Sequence, residues 1–282
     1  MKRVLLFGGA FVTGLAAALL AAAAMVVLPG WLQRESCQAQ RPAEVVPTAA
    51  PAAGEEESAP VPTPPPRDFT DLLARNPDVV GWIAIDGTPV DFPVTQTTDN
   101  TYYLSHDLDR QYDPEGIPFA DYECDAGQGD HLIIYGHNMG KGQTARFSSL
   151  QNYRHPDYYT RHPVIELDTP EGSALYKIAA VYALSARPED GDYFDFNRYV
   201  EFADEADRQC YLDEVAARSF YTAGEPPRPG ERLLSLCICT YEMEDARLIV
   251  MARPLRPGED GGPDPVTENP SPRLPARWPA GA

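Results

Sequence analysis

Near the C-terminal end of the chain, two apolar runs rich in β-branched residues, Leu233–Thr240 and Leu248–Ala252, are separated by only a short polar link, Tyr241 to Asp245. Runs of this length and composition with so short a connection are antiparallel neighbouring strands. Two such strands expose hydrophobic faces that nothing local covers, so the rest of the domain has to supply a sheet and a core around them. The first run ends on Cys237 and Cys239, and the second is preceded by Arg247. A thiol at a strand end facing a guanidinium on the next strand pairs a nucleophile with an anion stabiliser.

The chain has 282 residues, and its ends read differently from its middle. Residues 1–30 begin with the basic Met1-Lys2-Arg3, and Val4 to Leu28 then runs almost wholly apolar and uncharged. That length suits a bilayer core of about 30 Å and exceeds the roughly 7–15 apolar residues of a cleaved signal. An uncleaved anchor is the preferred reading, with Lys2 and Arg3 cytoplasmic and everything beyond Leu28 outside the membrane. A cleaved signal remains the alternative, because Ala21–Ala24 offers small residues to a peptidase. Residues 31–67, rich in Pro, Ala and Glu, are expected to be a disordered stalk. Residues 256–282, also Pro-rich, are expected to be a disordered tail. Residues 68–255 are left as the folded domain.

A net charge of −19 argues against nucleic acid as a partner, since a phosphate-binding face needs clustered Lys and Arg. The five cysteines, Cys37, Cys124, Cys210, Cys237 and Cys239, are odd in number and do not form a disulfide framework. They also lack the paired spacing of a zinc site, and no cofactor is implied.

Within the domain, Phe69 to Arg75 reads as a short helix capped by Asp68 and stopped by Asn76-Pro77. Val79 to Val94 alternates about an Asp86-Gly87 turn and reads as a hairpin. Gly116–Asp121, His131–Tyr135, Val164–Asp168 and Leu175–Leu184 follow as strands, and Ala203–Phe220 is the strongest helix. Many short strands with few helices suggest a closed or nearly closed β-barrel. Of the five histidines, His137 follows an apolar strand and a glycine, where a side chain is held rigidly at a barrel rim.

Strand-Tyr135-Gly136-His137-Asn138-Met139, then Cys239-Thr240-Tyr241-Glu242, then Ala246-Arg247, closely resembles a class B sortase. The segment Gly81-Trp82-Ile83-Ala84-Ile85-Asp86-Gly87-Thr88-Pro89-Val90-Asp91-Phe92-Pro93-Val94, with Gln96, Asp99-Asn100 and Tyr103-Leu104, resembles the family's N-terminal part. The resemblance covers about Asp68 to Leu255. It implies an eight-stranded sortase barrel with N-terminal helices and a long helix between strands six and seven. It also implies a membrane-anchored thiol transpeptidase of a Gram-positive surface, with its catalytic domain extracellular. Such an enzyme cuts secreted proteins at a C-terminal sorting signal, commonly of the Asn-Pro-x-Thr-Asn type. It then transfers the acyl group to an amine of a cell-wall precursor or a pilin.

On that resemblance His137, Cys239 and Arg247 are the catalytic residues. Leu234-Ser235-Leu236-Cys237 also fits the family text before the nucleophile, and a period of two puts residues 237 and 239 on one face. The seven residues between Cys239 and Arg247 favour Cys239, leaving Cys237 where the family places a serine that helps bind substrate. Asn138, Cys237, Glu242, Tyr103 and Leu104 are weaker candidates for substrate contact, with Glu242 also placed to orient His137. Two other classes stay open at this point. One is a different Cys/His cell-wall transpeptidase or peptidase; the L,D-transpeptidases are disfavoured, since their Ser-His-Gly before the cysteine is missing. The other is a non-catalytic anchored β-barrel module.

Overall fold

The computed structural model describes residues 67–140 and 142–279. The expected anchor, and the expected stalk apart from Arg67, lie outside the described residues. Among the described residues no helix is long and apolar enough to cross a membrane.

The first helix, α1 (Thr70–Arg75), begins where Asp68 accepts a hydrogen bond from the Thr70 amide at 2.9 Å and ends at buried Asn76. Strands β1 (Val79–Ala84) and β2 (Asp91–Thr95) form the expected antiparallel hairpin. The chain then makes β3 (Phe119–Ala120) and β4 (His131–Tyr135), a 3₁₀ turn over Ser148–Arg154, and helix α2 (Pro156–Arg161). Next come β5 (Val164–Thr169) and the 14-residue β6 (Gly172–Ser185). Helix α3 (Glu205–Arg218) leads into β7 (Ser219–Ala223), β8 (Leu233–Cys239), β9 (Ala246–Pro254) and β10 (Val266–Glu268).

The strands lie in the order β10-β7-β6-β5-β1-β2-β3-β4-β8-β9, and a further pairing of β9 with β6 closes eight of them into a barrel. Length explains the closure. The first half of β6 pairs with β5 on one side and β9 on the other, and its second half has β9 and β7 as neighbours. From Tyr176 to Ser185 every residue of β6 is buried, because the barrel interior fills one face and α3 packs on the other. A strand covered on both faces reads as a continuous apolar run rather than as an alternation. Helix α3 starts on Asp204, whose carboxylate accepts from the Asp207 amide at 2.8 Å. It sits between the sixth and seventh barrel strands, as the sequence resemblance implied.

One histidine belongs to this core. His131 is fully buried in β4; its Nδ1–H donates to the Tyr199 carbonyl (3.0 Å), and its Nε2 accepts from the Ser235 hydroxyl (2.8 Å). Both ring nitrogens are thereby used in the neutral tautomer. Burial lowers its pKa to about 4, against about 6.5 for an unfolded histidine. Between those values the unfolded chain binds a proton that the folded one refuses. The stabilisation is therefore complete above pH 6.5 and is lost as pH falls towards 4, by up to about 3 kcal/mol. We expect the His131 ring resonances not to titrate between pH 8 and 5 in an NMR titration. A midpoint near 6.5 would contradict the buried neutral imidazole.

The segment expected to be a disordered tail departs from that reading. It crosses the barrel end, adds β10 to β7 and continues along α3. Proline content obscured the reason, which is electrostatic. Lys177, Arg253 and Arg256 are buried on the barrel. The tail supplies carboxylates to them: Asp264 to Lys177 (2.7 Å), and Glu259 to Arg253 (2.7 and 2.8 Å). Arg256 is further held by Glu231, at 2.5 and 2.9 Å. A buried cation must be paired, so this segment is part of the domain.

Candidate active site

Strands β4 and β8 run parallel, with Tyr135 opposite Cys237. Two residues further along each, and on the same face by alternation, come His137 and Cys239. On the other side, antiparallel β9 places Arg247 directly opposite Cys239. Three neighbouring strands thus deliver an imidazole, a thiol and a guanidinium to one barrel rim, and all three line a cleft of about 310 Å³.

The loop bearing His137 is fastened from both ends. Asn138, almost fully buried, donates from Nδ2 to the Cys239 carbonyl at 3.0 Å, and the Tyr241 hydroxyl donates to the Asn138 carbonyl at 2.6 Å. Gly136 lies against the buried Phe147 ring so closely that a Cβ there would sit 2.4 Å from it. His137 Nε2–H donates to the Leu104 carbonyl at 2.7 Å, since a carbonyl only accepts. That leaves Nδ1 as the basic nitrogen of the ring. Arg247 is half-buried and donates only to the Ala246 carbonyl (3.2 Å); it makes no ion pair among the described residues. A guanidinium without a carboxylate partner beside a thiol can receive a developing oxyanion.

The two cysteines differ in depth rather than in face. Cys239 is exposed, whereas Cys237 is buried at 2 % exposure, two residues further into the barrel. Burial pushes the Cys237 thiol up to about 12, only partly opposed by Arg247. Cys124 is likewise pushed up to about 12 by burial and exchanges hydrogen bonds with the His131 carbonyl and the Ile133 amide.

The weaker candidates divide. Leu104 does line the cleft, and its carbonyl also steadies His137. Asn138 serves as the pin just described, and Cys237 forms part of the cleft floor. Tyr103 is absent from the cleft: it is buried, with its hydroxyl donating to Asp78 (2.8 Å) and accepting from Asn76 (2.7 Å). Glu242 is also corrected. It pairs with Arg154, whereas the His137 ring is held by the Leu104 carbonyl.

Sequence reasoning assigned no role to the opposite wall of the cleft. Tyr193, Phe194, Phe196 and Asn197, from the connection between β6 and α3, stand there. Their signal was the density of aromatic residues in a polar, acidic segment. Arg218, at the buried end of α3, fixes this connection by pairing with Asp192 (2.8 Å) and lying over the Phe194 ring at 4.9 Å. Asn100 also borders the cleft and donates to Asp121 at 2.9 Å. The conspicuous Trp82 is scaffold, bonded to Asp91 at 2.6 Å and covered by Arg67.

No protein-family model matches the chain. It is 30% identical to sortase B of Listeria monocytogenes over 189 residues, which is 66% of this chain and 73% of that protein. Among solved structures, Clostridium perfringens sortase B superposes with a TM-score of 0.60 at 26% identity, covering 67% of this chain and all of that one. A Staphylococcus aureus sortase B–substrate complex also gives a TM-score of 0.60, at 27% identity, over 67% of this chain and 84% of that one. With an eight-stranded barrel and a His, Cys and Arg cleft at its rim, the chain belongs to the class B sortases and is a cysteine transpeptidase.

Proposed function

We propose that this sortase works at the outer face of a cell membrane, anchored by residues 1–30, with Cys239 as nucleophile, His137 as proton carrier and Arg247 as oxyanion partner. Its donor substrate is a secreted protein with a C-terminal sorting signal, of the Asn-Pro-x-Thr-Asn type. Its acceptor is an amine of a cell-wall precursor or a pilin. The observation that carries this reading is the exposed Cys239 at the cleft rim, opposite Arg247, with His137 lining the same cleft two residues past the end of the parallel strand β4.

In the first half-reaction the Cys239 thiol passes its proton to His137 Nδ1, the resulting thiolate attacks the threonine carbonyl, and Arg247 hydrogen-bonds the oxygen as it gains charge. His137 gives its proton to the departing amine as the C–N bond breaks, leaving a thioester. The incoming amine then loses a proton to His137 and attacks the thioester, and the Cys239 thiolate departs. The wall of aromatic residues opposite holds the peptide and limits water, which would otherwise hydrolyse the thioester.

The test is to incubate the domain with a sorting-signal peptide without an amine acceptor and to analyse the protein by mass spectrometry. The expected product is an acyl adduct on Cys239 ending at the threonine, discharged when an amine such as triglycine is added. An adduct on another residue, or cleavage elsewhere in the peptide, would refute the assignment.

A further inference from the structure

The C-terminal segment reaches two loops next to the cleft. After β10 the chain follows α3, with the amides of Asn269 and Arg273 donating to the carbonyls of Phe220 and Ala217, each at 2.9 Å. Further along it carries Arg277 and Trp278. Arg277 pairs with Asp190 at 2.7 Å, and the side chain of Asp190 is only 2% exposed. Asp190 also accepts from the Ser185 hydroxyl at 2.6 Å, at the end of β6. It opens the connection that carries Tyr193, Phe194, Phe196 and Asn197 into the cleft wall.

Trp278 acts on the other loop. The Arg154 guanidinium lies 5.5 Å from the Trp278 ring and 5.5 Å from the Phe220 ring, and it pairs with Glu242. Glu242 stands in the six-residue link between β8 and β9, Thr240 to Asp245, which connects the strand bearing the thiol to the strand bearing the guanidinium. An ion pair shielded from water by two rings holds more firmly than an exposed one. The opposite end of that link is tied to the wall, where the Ala186 amide donates to the Asp245 carbonyl at 2.9 Å.

We propose that Arg277 and Trp278 are positioning residues for transpeptidation: Trp278, through Arg154 and Glu242, fixes the link that sets Arg247 against Cys239, and Arg277, through Asp190, fixes the cleft wall. The kinetic part rests on the transpeptidase reading above; the ordering of the link does not. Neither side chain lines the cleft, so each acts through its partner. A misplacement of about 1 Å at a reacting group costs up to about a hundredfold in rate, which gives such a contact room to matter.

The experiment compares wild type with Trp278→Ala, Trp278→Phe, Arg277→Ala and Arg277→Lys, all in the full folded domain. Peptide transfer to triglycine gives kcat and KM, hydrogen exchange reports amides 241–245, and melting reports the fold. Trp278→Ala is expected to lower kcat about tenfold with KM within about twofold, and to speed exchange in 241–245. Trp278→Phe, which keeps a ring over Arg154, restores both. Arg277→Ala is expected to raise KM several-fold and Arg277→Lys to restore it. Arg154→Ala should reproduce the Trp278→Ala loss, and the double variant should lose no more.

Unchanged exchange in 241–245 overturns the link to Trp278. Faster exchange with unchanged kcat overturns its catalytic consequence, and unchanged KM in Arg277→Ala overturns the wall assignment. A loss of activity that merely follows a lowered Tm, without rescue by Phe or Lys, overturns the positioning role. A wild-type protein inactive on every sorting peptide would instead refute the proposed reaction, and the exchange data would still decide whether Trp278 orders the link.

Discussion

Cys239→Ala is expected to abolish both acyl-enzyme formation and transpeptidation, while Cys237→Ala keeps most of the activity. Loss of a catalytic nucleophile costs on the order of 10⁶ in kcat in well-studied hydrolases, which places the Cys239 variant below detection. The contrast arises from solvation. A thiolate at position 237 would have to be formed in a buried site, and burial holds that thiol near 12, so it stays protonated at neutral pH. At position 239 the sulfur is exposed on the cleft that Arg247 also lines. Cys237→Ala removes one atom from a packed floor, a change of about 1 kcal/mol in stability. Peptide-cleavage assays on the two variants, with melting curves as controls, decide the matter. An inactive Cys237 variant beside an active Cys239 variant would reverse the assignment.

The second large effect concerns the segment after Leu255. A chain ending at Leu255 is expected not to fold, and Asp264→Ala alone is expected to destabilise the domain by about 3–5 kcal/mol, the cost of leaving a buried charge unpaired. The charge in question is Lys177, whose ammonium has Asp264 at 2.7 Å and whose side chain is 3% exposed. Asp264 also lies 3.6 Å from the buried Arg253. For a domain of this size each kcal/mol moves Tm by about 2–4 °C, so the expected fall is about 10 °C. Lys177→Met in the Asp264→Ala background should recover much of it, because an apolar side chain tolerates the site that an unpaired ammonium does not. Calorimetry on the three proteins tests this, and an unaltered Tm in Asp264→Ala would show the segment to be dispensable.

Both effects lie where reading along the chain reached its limit. The candidate residues were legible because Cys239 and Arg247 flank the last hairpin, His137 follows an apolar strand, and their order and spacing resemble the class B sortases. The hairpin of β1 and β2, helix α3 and the last barrel hairpin were legible for a similar reason, since periodicity and capping are local. Glu242 was misjudged because its partner Arg154 is 88 positions distant along the chain. Tyr103 was misjudged because an aromatic residue beside Leu104 reads the same whether its ring faces a cleft or a core.

By itself the sequence led to a β-barrel, through strands legible from local periodicity, and its resemblance to the class B sortases singled out Cys239, His137 and Arg247 for the chemistry proposed here. Spacing favoured Cys239, but only the tertiary structure showed that it is the exposed one of two cysteines on one strand face, because depth in a barrel is set by neighbouring strands and not by a period of two. It also decided that a proline-rich end is bound rather than loose, because the buried cations that hold it come from strands far away in the chain.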